Sequence, residues 1–201
     1  SSVKGELDDR GKRITSYTTV HEPVTTKQWQ EHLDGKIRIG FKPEEEGKCM
    51  WGCIDVDPSS YKNYSQKKYV DIIKNYKLPL VAVKSKSGGL HIFVFFTEWA
   101  NVEKVSDKLK KINDKYFLAQ EIFPCNKALN MPYQNMNSSM EFAYDDNNNP
   151  VLIQKFIEIA ETKRIAPEDF YKLRIKEYEP ESMWNTYAPC VQKLIQERST
   201  I

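Results

Sequence analysis

The feature that most constrains the fold is a hairpin pattern in residues 79–96, PLVAVKSKSGGLHIFVFF. Two apolar runs stand on either side of a Ser-Gly-Gly turn, which predicts two antiparallel strands. Both faces of each strand are apolar, so we expect this pair to lie centrally in a sheet with at least one face covered by helices. Two lysines and a histidine interrupt the apolar pattern: Lys84, Lys86 and His91.

The periodicity of the other segments predicts helices and strands in alternation. Apolar residues at helical spacing predict helices over residues 25–33, 65–76, 101–116 and 150–161. Alternating or continuous apolar runs predict strands over residues 36–41, 50–57, 119–124 and 140–144. This order predicts an α/β (α+β) domain in which helices pack on a mixed sheet.

Composition excludes several classes of protein. The chain has 201 residues, of which 40% are hydrophobic and 29% charged, enough for a globular domain with a core. The net charge of +2 does not by itself indicate nucleic-acid binding. No apolar run reaches membrane-spanning length, so we expect no membrane partner and a cytoplasmic location. Four cysteines are few, and the CMWGC spacing of Cys49 and Cys53 favours two buried strand residues over a zinc site.

The segment CIDVD carries the first candidate chemistry. Side chains two apart on a strand point to the same face, so Asp55 and Asp57 share a face with Cys53 while Ile54 and Val56 face the helices. Neighbouring carboxylates repel each other, and a divalent cation relieves that repulsion. A solvated strand end is the alternative at this stage.

The hairpin turn is the second candidate. Glycine lets the backbone approach a ligand closely, while lysine, serine and histidine side chains supply charge and hydrogen-bond donors suited to a triphosphate. The residues of this candidate site are Lys84, Ser85, Lys86, Ser87, Gly88, Gly89 and His91. The turn leads into a strand and lacks the Walker pattern, so it is not a P-loop. An ordinary surface hairpin tip is the alternative.

A third acid lies in the apolar segment AQEIFP. Buried glutamates are rare unless they are paired or bind a metal, which makes Glu121 a candidate ligand. The polar segment after it contains Lys127, Asn130 and Tyr133. At this stage Asn130 could equally be a turn residue, and Tyr133 could equally belong to the core.

In combination these motifs resemble the archaeo-eukaryotic primase superfamily. The order is an apolar strand ending in DVD, a helix, the hairpin KSKSGGLH, a helix, EIFP and then LNMPY, over roughly residues 20 to 145. Within the superfamily, the chain is similar to the primase-polymerase domains of phage and plasmid replication proteins. The resemblance implies an RRM-like sheet with flanking helices and an N-terminal α/β unit. Gly89 departs from the pattern, because many relatives have serine there.

The resemblance implies a template-dependent DNA primase or polymerase that transfers a nucleotide from an NTP or dNTP to a 3′-hydroxyl. It implies two Mg²⁺ or Mn²⁺ ions held by Asp55, Asp57 and Glu121, with the triphosphate held by His91 and the hairpin turn. Lys127 and Asn130 are further candidates for nucleotide contact. The implied partners are template and primer DNA, with a helicase domain as a candidate in the full-length protein.

Three other functions compete with this hypothesis. A metal-dependent nuclease also uses clustered acids and cations, but it does not need the Lys-Ser-Gly turn. A non-catalytic single-stranded nucleic-acid-binding module does not need three acids and a histidine. A nicking initiator usually has two metal-binding histidines close together, whereas His21, His32 and His91 are far apart in sequence.

The domain organisation predicted from the sequence has three parts. We expect a flexible N-terminus over residues 1–15, a catalytic domain over residues 16–165 and a helical extension over residues 166–201. The extension resembles the start of the helical region that follows the catalytic domain in such replication proteins, so we expect the full-length protein to continue beyond Ile201.

Overall fold

The protein is described here by a computed structural model that covers residues 19–58, 64–117, 119, 121–125, 127–137 and 140–176. The helices are α1 (Thr26–Leu33), α2 (Gln66–Asn75), α3 (Val102–Tyr116), α4 (Ile153–Thr162) and α5 (Pro167–Lys172). The strands are β1 (Gly40–Phe41), β2 (Glu44–Glu45), β3 (Lys48–Val56), β4 (Val81–Lys84), β5 (Leu90–Asn101), β6 (Glu121–Phe123), β7 (Leu129–Asn130), β8 (Ala143–Tyr144) and β9 (Pro150–Val151). The predicted α+β class is confirmed.

Short polar side chains start the first three helices. The side chains of Thr25, Ser65 and Asn101 each accept a hydrogen bond from a backbone N–H of the first helical turn, which would otherwise lack a partner. In α1 this contact is part of a capping box that also uses the Gln28 side chain. These three helices therefore begin within one residue of the positions predicted from sequence.

The main sheet has seven strands and is built around the predicted hairpin. The strand order is β2-β3-β5-β4-β8-β9, and β6 also pairs with β3. Every strand pairing in it is antiparallel, including that of β4 with β5. β5 lies between β3 and β4, so the central position predicted for the hairpin is confirmed.

Each face of the sheet has its own apolar core. On one face, Ile54, Val56 and Ile92 pack against α2 and α3, as predicted for Ile54 and Val56. On the other face, Cys53 and Phe93 pack with residues of β4, β6, β7 and β8. Cys49 belongs to the first core, because the pairing register shifts between Cys49 and Trp51. Cys49 and Cys53 are both buried, but they lie in different cores.

The strand predicted over residues 36–41 is wrong for most of its length, because only Gly40–Phe41 pair as a strand. The Ile39 N–H donates to the Nδ1 atom of His32, and the Ile37 carbonyl accepts from the Gln134 side chain. These side chains form hydrogen bonds with backbone groups that a neighbouring strand would otherwise pair with. β1 pairs with β7 in a separate two-stranded sheet.

The C-terminal part of the described chain also differs from the helix predicted over residues 150–161. Pro150–Val151 form β9 before α4 begins, so the helix predicted from residue 150 starts later. The aromatic ring of Phe170 on α5 is fully buried, with its centroid 5.3 Å from that of Phe96. The predicted flexible N-terminus and most of the predicted helical extension lie outside the described residues, so the domain boundaries stay a prediction.

Candidate active site

The central strand β3 brings three of the predicted site residues together. Asp55 is directly opposite His91 on β5 and directly opposite Glu121 on β6, because β3 lies between these two strands. Directly paired residues of antiparallel strands point to the same face. The Oδ1 atom of Asp55 lies 3.7 Å from the Nε2 atom of His91. Asp55, His91 and Glu121 therefore form one row across three strands.

Burial shifts the pKa values of Asp55 and His91 in opposite directions. Burial, together with the nearby carboxylates of Glu121 and Asp57, raises the pKa of Asp55 to about 6. Burial lowers the pKa of His91 to about 4, with a smaller contribution from the charge of Arg38. At neutral pH His91 is therefore uncharged, and its contact with Asp55 is not an ion pair.

The carboxylates have the donor chemistry of a divalent-cation site. Carboxylate oxygens are the preferred ligands of Mg²⁺ and Mn²⁺, and the mutual repulsion around Asp55 is what such an ion would relieve. In the described part of the chain no three metal-ligating side chains form a ready-made cluster. The Glu121 carboxylate is instead paired with the Lys127 ammonium. Lys127 thus supplies the counter-charge that a cation would supply on binding.

Asp57 lies one residue beyond the end of β3 and is exposed. Its charge reaches Asp55, which is consistent with the predicted shared face. Asp57 is not among the described residues that line the cavity beside Asp55. Its predicted role as a metal ligand stays a prediction.

The hairpin turn is held in a defined shape by its own backbone and by β3. The Ser85 N–H donates to the Gly89 carbonyl over 2.9 Å, and the Gly88 N–H donates to the Ser85 carbonyl over 3.0 Å. Gly88 has a φ of 87°, a left-handed conformation that favours glycine. A Cβ atom on Gly89 would lie 2.2 Å from the Val56 carbonyl oxygen. This close approach is what requires glycine at position 89.

A side chain outside the predicted site also fixes this turn. The Gln66 side-chain amide donates to the Gly88 carbonyl over 2.8 Å. Its own oxygen accepts a hydrogen bond of 2.6 Å from the Tyr144 hydroxyl on β8. The two contacts tie the turn to the start of α2 and to the sheet. Ser85 is buried, and its hydroxyl lies 3.1 Å from that of Ser87.

A cavity of about 450 Å³ brings Asp55 and Glu121 together with the turn. Most of the residues predicted from sequence line it: Asp55, Lys84, Ser85, Lys86, Ser87, His91, Glu121, Lys127 and Asn130. Gly88 and Gly89 do not line it, but they shape the turn that does. Tyr133 belongs to the core, as one predicted alternative had it, and its hydroxyl donates to the Val151 carbonyl over 2.8 Å.

Two charged residues of the cavity wall were not predicted from the sequence. The Nη1 atom of Arg38 lies 2.9 Å and 3.0 Å from the two carboxylate oxygens of Glu141. Arg38 precedes β1 and Glu141 precedes β8, and neither stands in a recognisable motif. The one available signal was an arginine within an apolar segment, KIRIGF.

A comparison of the sequence with known protein families identifies the family of this chain. The family model described as "TOTE conflict system, Archaeo-Eukaryotic Primase domain" matches residues 9–127, more than half of the chain. The chain belongs to this family. The predicted membership of the archaeo-eukaryotic primase superfamily is thereby confirmed. A search of curated proteins found no match.

Membership of the archaeo-eukaryotic primase family supports a primase-like nucleotidyltransferase. The matched segment contains Asp55, His91 and Glu121, together with Arg38 and Lys127. Asn130 and Glu141 lie beyond its end. No helix in the described part of this primase domain has the length and apolar content needed to span a bilayer.

Proposed function

We propose that the chain catalyses template-dependent nucleotidyl transfer, as a DNA primase or DNA-directed polymerase. In this reaction the oxygen of a 3′-hydroxyl forms a bond to the α-phosphorus of an incoming nucleotide, and the bond from that phosphorus to pyrophosphate breaks. The observation that carries the proposal is the row of Asp55, His91 and Glu121, which shares a cavity with the Lys-Ser turn.

The acids are the proposed metal ligands. Asp55 and Glu121, with Asp57 beside them, would hold Mg²⁺ or Mn²⁺. Two such ions, when bound, supply charge stabilisation for the attacking and leaving oxygens. Lys127 lines the same cavity and pairs with Glu121. A metal ion on Glu121 would leave the Lys127 ammonium available to the negatively charged nucleotide.

The hairpin turn is the proposed triphosphate site. Lys84 and Lys86 supply positive charge, and Ser85 and Ser87 supply hydroxyl donors on the same wall of the cavity. His91, uncharged at neutral pH, donates an N–H hydrogen bond instead of a charge. The contacts of Gln66 hold this wall in place before the nucleotide arrives.

The template and primer are proposed to lie along the face of the sheet that carries Asp55. On that face β5 continues from His91 to Phe93 and Phe95, whose rings are stacked with centroids 5.6 Å apart. Trp51 on β3 pairs with Phe95 and contacts the Phe93 ring. Phe93 is buried in the core, whereas Trp51 and Phe95 are partly exposed. Partly exposed aromatic rings are surfaces on which unpaired bases stack. We propose phage or plasmid DNA replication in the cytoplasm as the cellular setting.

A template assay with and without primer tests the proposal. Ribonucleotides and deoxynucleotides are offered separately, each with Mg²⁺ and with Mn²⁺, and product length is measured on gels. We expect products whose sequence follows the template. They form by extension of a primer, by synthesis without a primer, or by both routes. Cleavage of single-stranded DNA in Mn²⁺ without nucleotides would favour a nuclease. Binding without synthesis or cleavage would favour a non-catalytic module.

A further inference from the structure

Arg38 and Glu141 form an ion pair on the wall of the cavity that also contains His91 and Lys84. The side chain of Glu141 is 7% exposed, whereas that of Arg38 is 23% exposed. The two residues are 103 positions apart in sequence, so the fold itself creates the pair. A buried carboxylate is stable in its charged form only when a partner compensates the charge, and the Arg38 guanidinium is such a partner for Glu141. The same ion pair limits the orientations open to the guanidinium.

The geometry leaves part of the guanidinium for another ligand. In the described part of the chain, both hydrogen bonds of Arg38 start from Nη1. A guanidinium carries five N–H donors in a planar fork, so Nε and Nη2 can serve a second group on the cavity side. Arg38 lines the same cavity as His91 and the hairpin turn, so the guanidinium is close to the proposed triphosphate site.

We propose that Arg38 donates hydrogen bonds to the phosphates of the incoming nucleoside triphosphate and that Glu141 is the positioning residue that fixes its orientation. This inference rests on the proposed function and adds a guanidinium to the lysines of the cavity, Lys84, Lys86 and Lys127. Arginine suits phosphate because two of its N–H groups match two phosphate oxygens. Because Glu141 balances the charge of Arg38, the contribution of Arg38 is directed hydrogen bonding more than net charge.

Equilibrium binding of MgATP, without DNA, tests this proposal. We expect Arg38→Gln to bind MgATP about 10- to 100-fold more weakly than the wild type, as for the loss of a charge-assisted hydrogen bond. Arg38→Gln removes the positive charge that faces the buried Glu141 carboxylate, so the double variant Arg38→Gln/Glu141→Gln checks the result in a protein without that buried negative charge. Lys36→Gln is the matched control, because Lys36 is exposed, pairs with Asp34 and does not line the cavity.

Inorganic tripolyphosphate, used as a competitor, tests the assignment to phosphate. Arg38→Gln should weaken tripolyphosphate binding by the same factor as MgATP binding. Glu141→Gln should weaken both by a smaller factor while template DNA binding is unchanged, which a general loss of folding would not produce. If the wild type binds no nucleotide, the proposed function fails. If the wild type binds MgATP and the double variant binds it equally well, the role proposed for Arg38 is wrong while the proposed function stands. The same conclusion follows if Arg38→Gln leaves tripolyphosphate binding unchanged.

Discussion

The Oδ1 atom of Asp55 and the Nε2 atom of His91 lie 3.7 Å apart at directly paired positions of β3 and β5. Neighbouring central strands set this distance, so it does not depend on a mobile loop. On the other side of Asp55, β6 places Glu121 at the paired position. Asp55, Glu121 and His91 are therefore fixed relative to one another by backbone hydrogen bonds of one sheet.

The first prediction concerns His91. Because His91 is uncharged at neutral pH and donates an N–H, His91→Ala should weaken nucleotide binding about tenfold and template binding much less. His91→Gln keeps an N–H donor and should recover part of that loss. Separate titrations with MgATP and with single-stranded DNA check this. Equal losses for both ligands would point to a disturbed hairpin and contradict the proposed role.

The second prediction concerns Lys127. Its ammonium is paired with Glu121, so a divalent cation must compete with it for the carboxylate. Lys127→Gln should therefore bind Mn²⁺ more tightly in the absence of nucleotide, by about two- to fivefold, since the ion pair is exposed. Electron paramagnetic resonance of free Mn²⁺ measures the affinity. Weaker Mn²⁺ binding by Lys127→Gln would show that Lys127 does not compete with the metal.

The third prediction compares two adjacent glycines. Gly89→Ala would bring its Cβ against the Val56 carbonyl, and backbone atoms of a central strand cannot move away cheaply, so it should destabilise the fold by about 3 kcal/mol. Gly88→Ala meets no neighbouring atom and incurs only the strain of its left-handed φ, about 1 kcal/mol. Urea unfolding measures both values. Equal destabilisation would show that the contact with Val56 is not what requires glycine.

The fourth prediction concerns the pH dependence of stability. Burial lowers the pKa of His32 from its ordinary 6.5, and its ring accepts from the Ile39 N–H and contacts the Pro132 carbonyl. Below the ordinary pKa the unfolded chain binds a proton at His32 that the folded chain does not, so the contribution of His32 to the free energy of unfolding should decrease as pH falls.

Urea unfolding between about pH 7.5 and about pH 5.5 checks this prediction, because histidine titrates in that range. His32→Asn should be less stable than the wild type at the upper end and should lose less stability as pH falls. Parallel curves for the two proteins would show that His32 does not contribute to the pH dependence.

The sequence predicted the parts of the site that lie within single strands or turns. Strand alternation predicts the face on which Asp55 lies, and the hairpin pattern that pairs β4 with β5 predicts that His91 lies close to the turn. The pairing of Asp55 with both His91 and Glu121 could not be predicted, because it depends on the order of strands in the sheet.

Arg38 and Glu141 could not be predicted for a related reason. Each lies two residues before a strand of only two residues, inside a segment that the sequence predicts as a strand. The pattern of one segment does not show which distant segment its charged side chain meets. Their contact requires the segment after α1 to fold against the segment before β8, and side chains such as His32 and Gln134 direct that packing. Local sequence carries little information about such long-range contacts.

The most direct test of the account is primer extension in Mn²⁺ by Asp55→Asn and Glu121→Gln, with Glu98→Gln, an exposed acid on β5, as the control. We expect both site variants to remain folded and to lose at least about 100-fold in extension rate, because metal-ion charge stabilisation is worth several kcal/mol. Glu98→Gln should extend the primer as the wild type does. Extension at the wild-type rate by folded Asp55→Asn and Glu121→Gln would contradict the account.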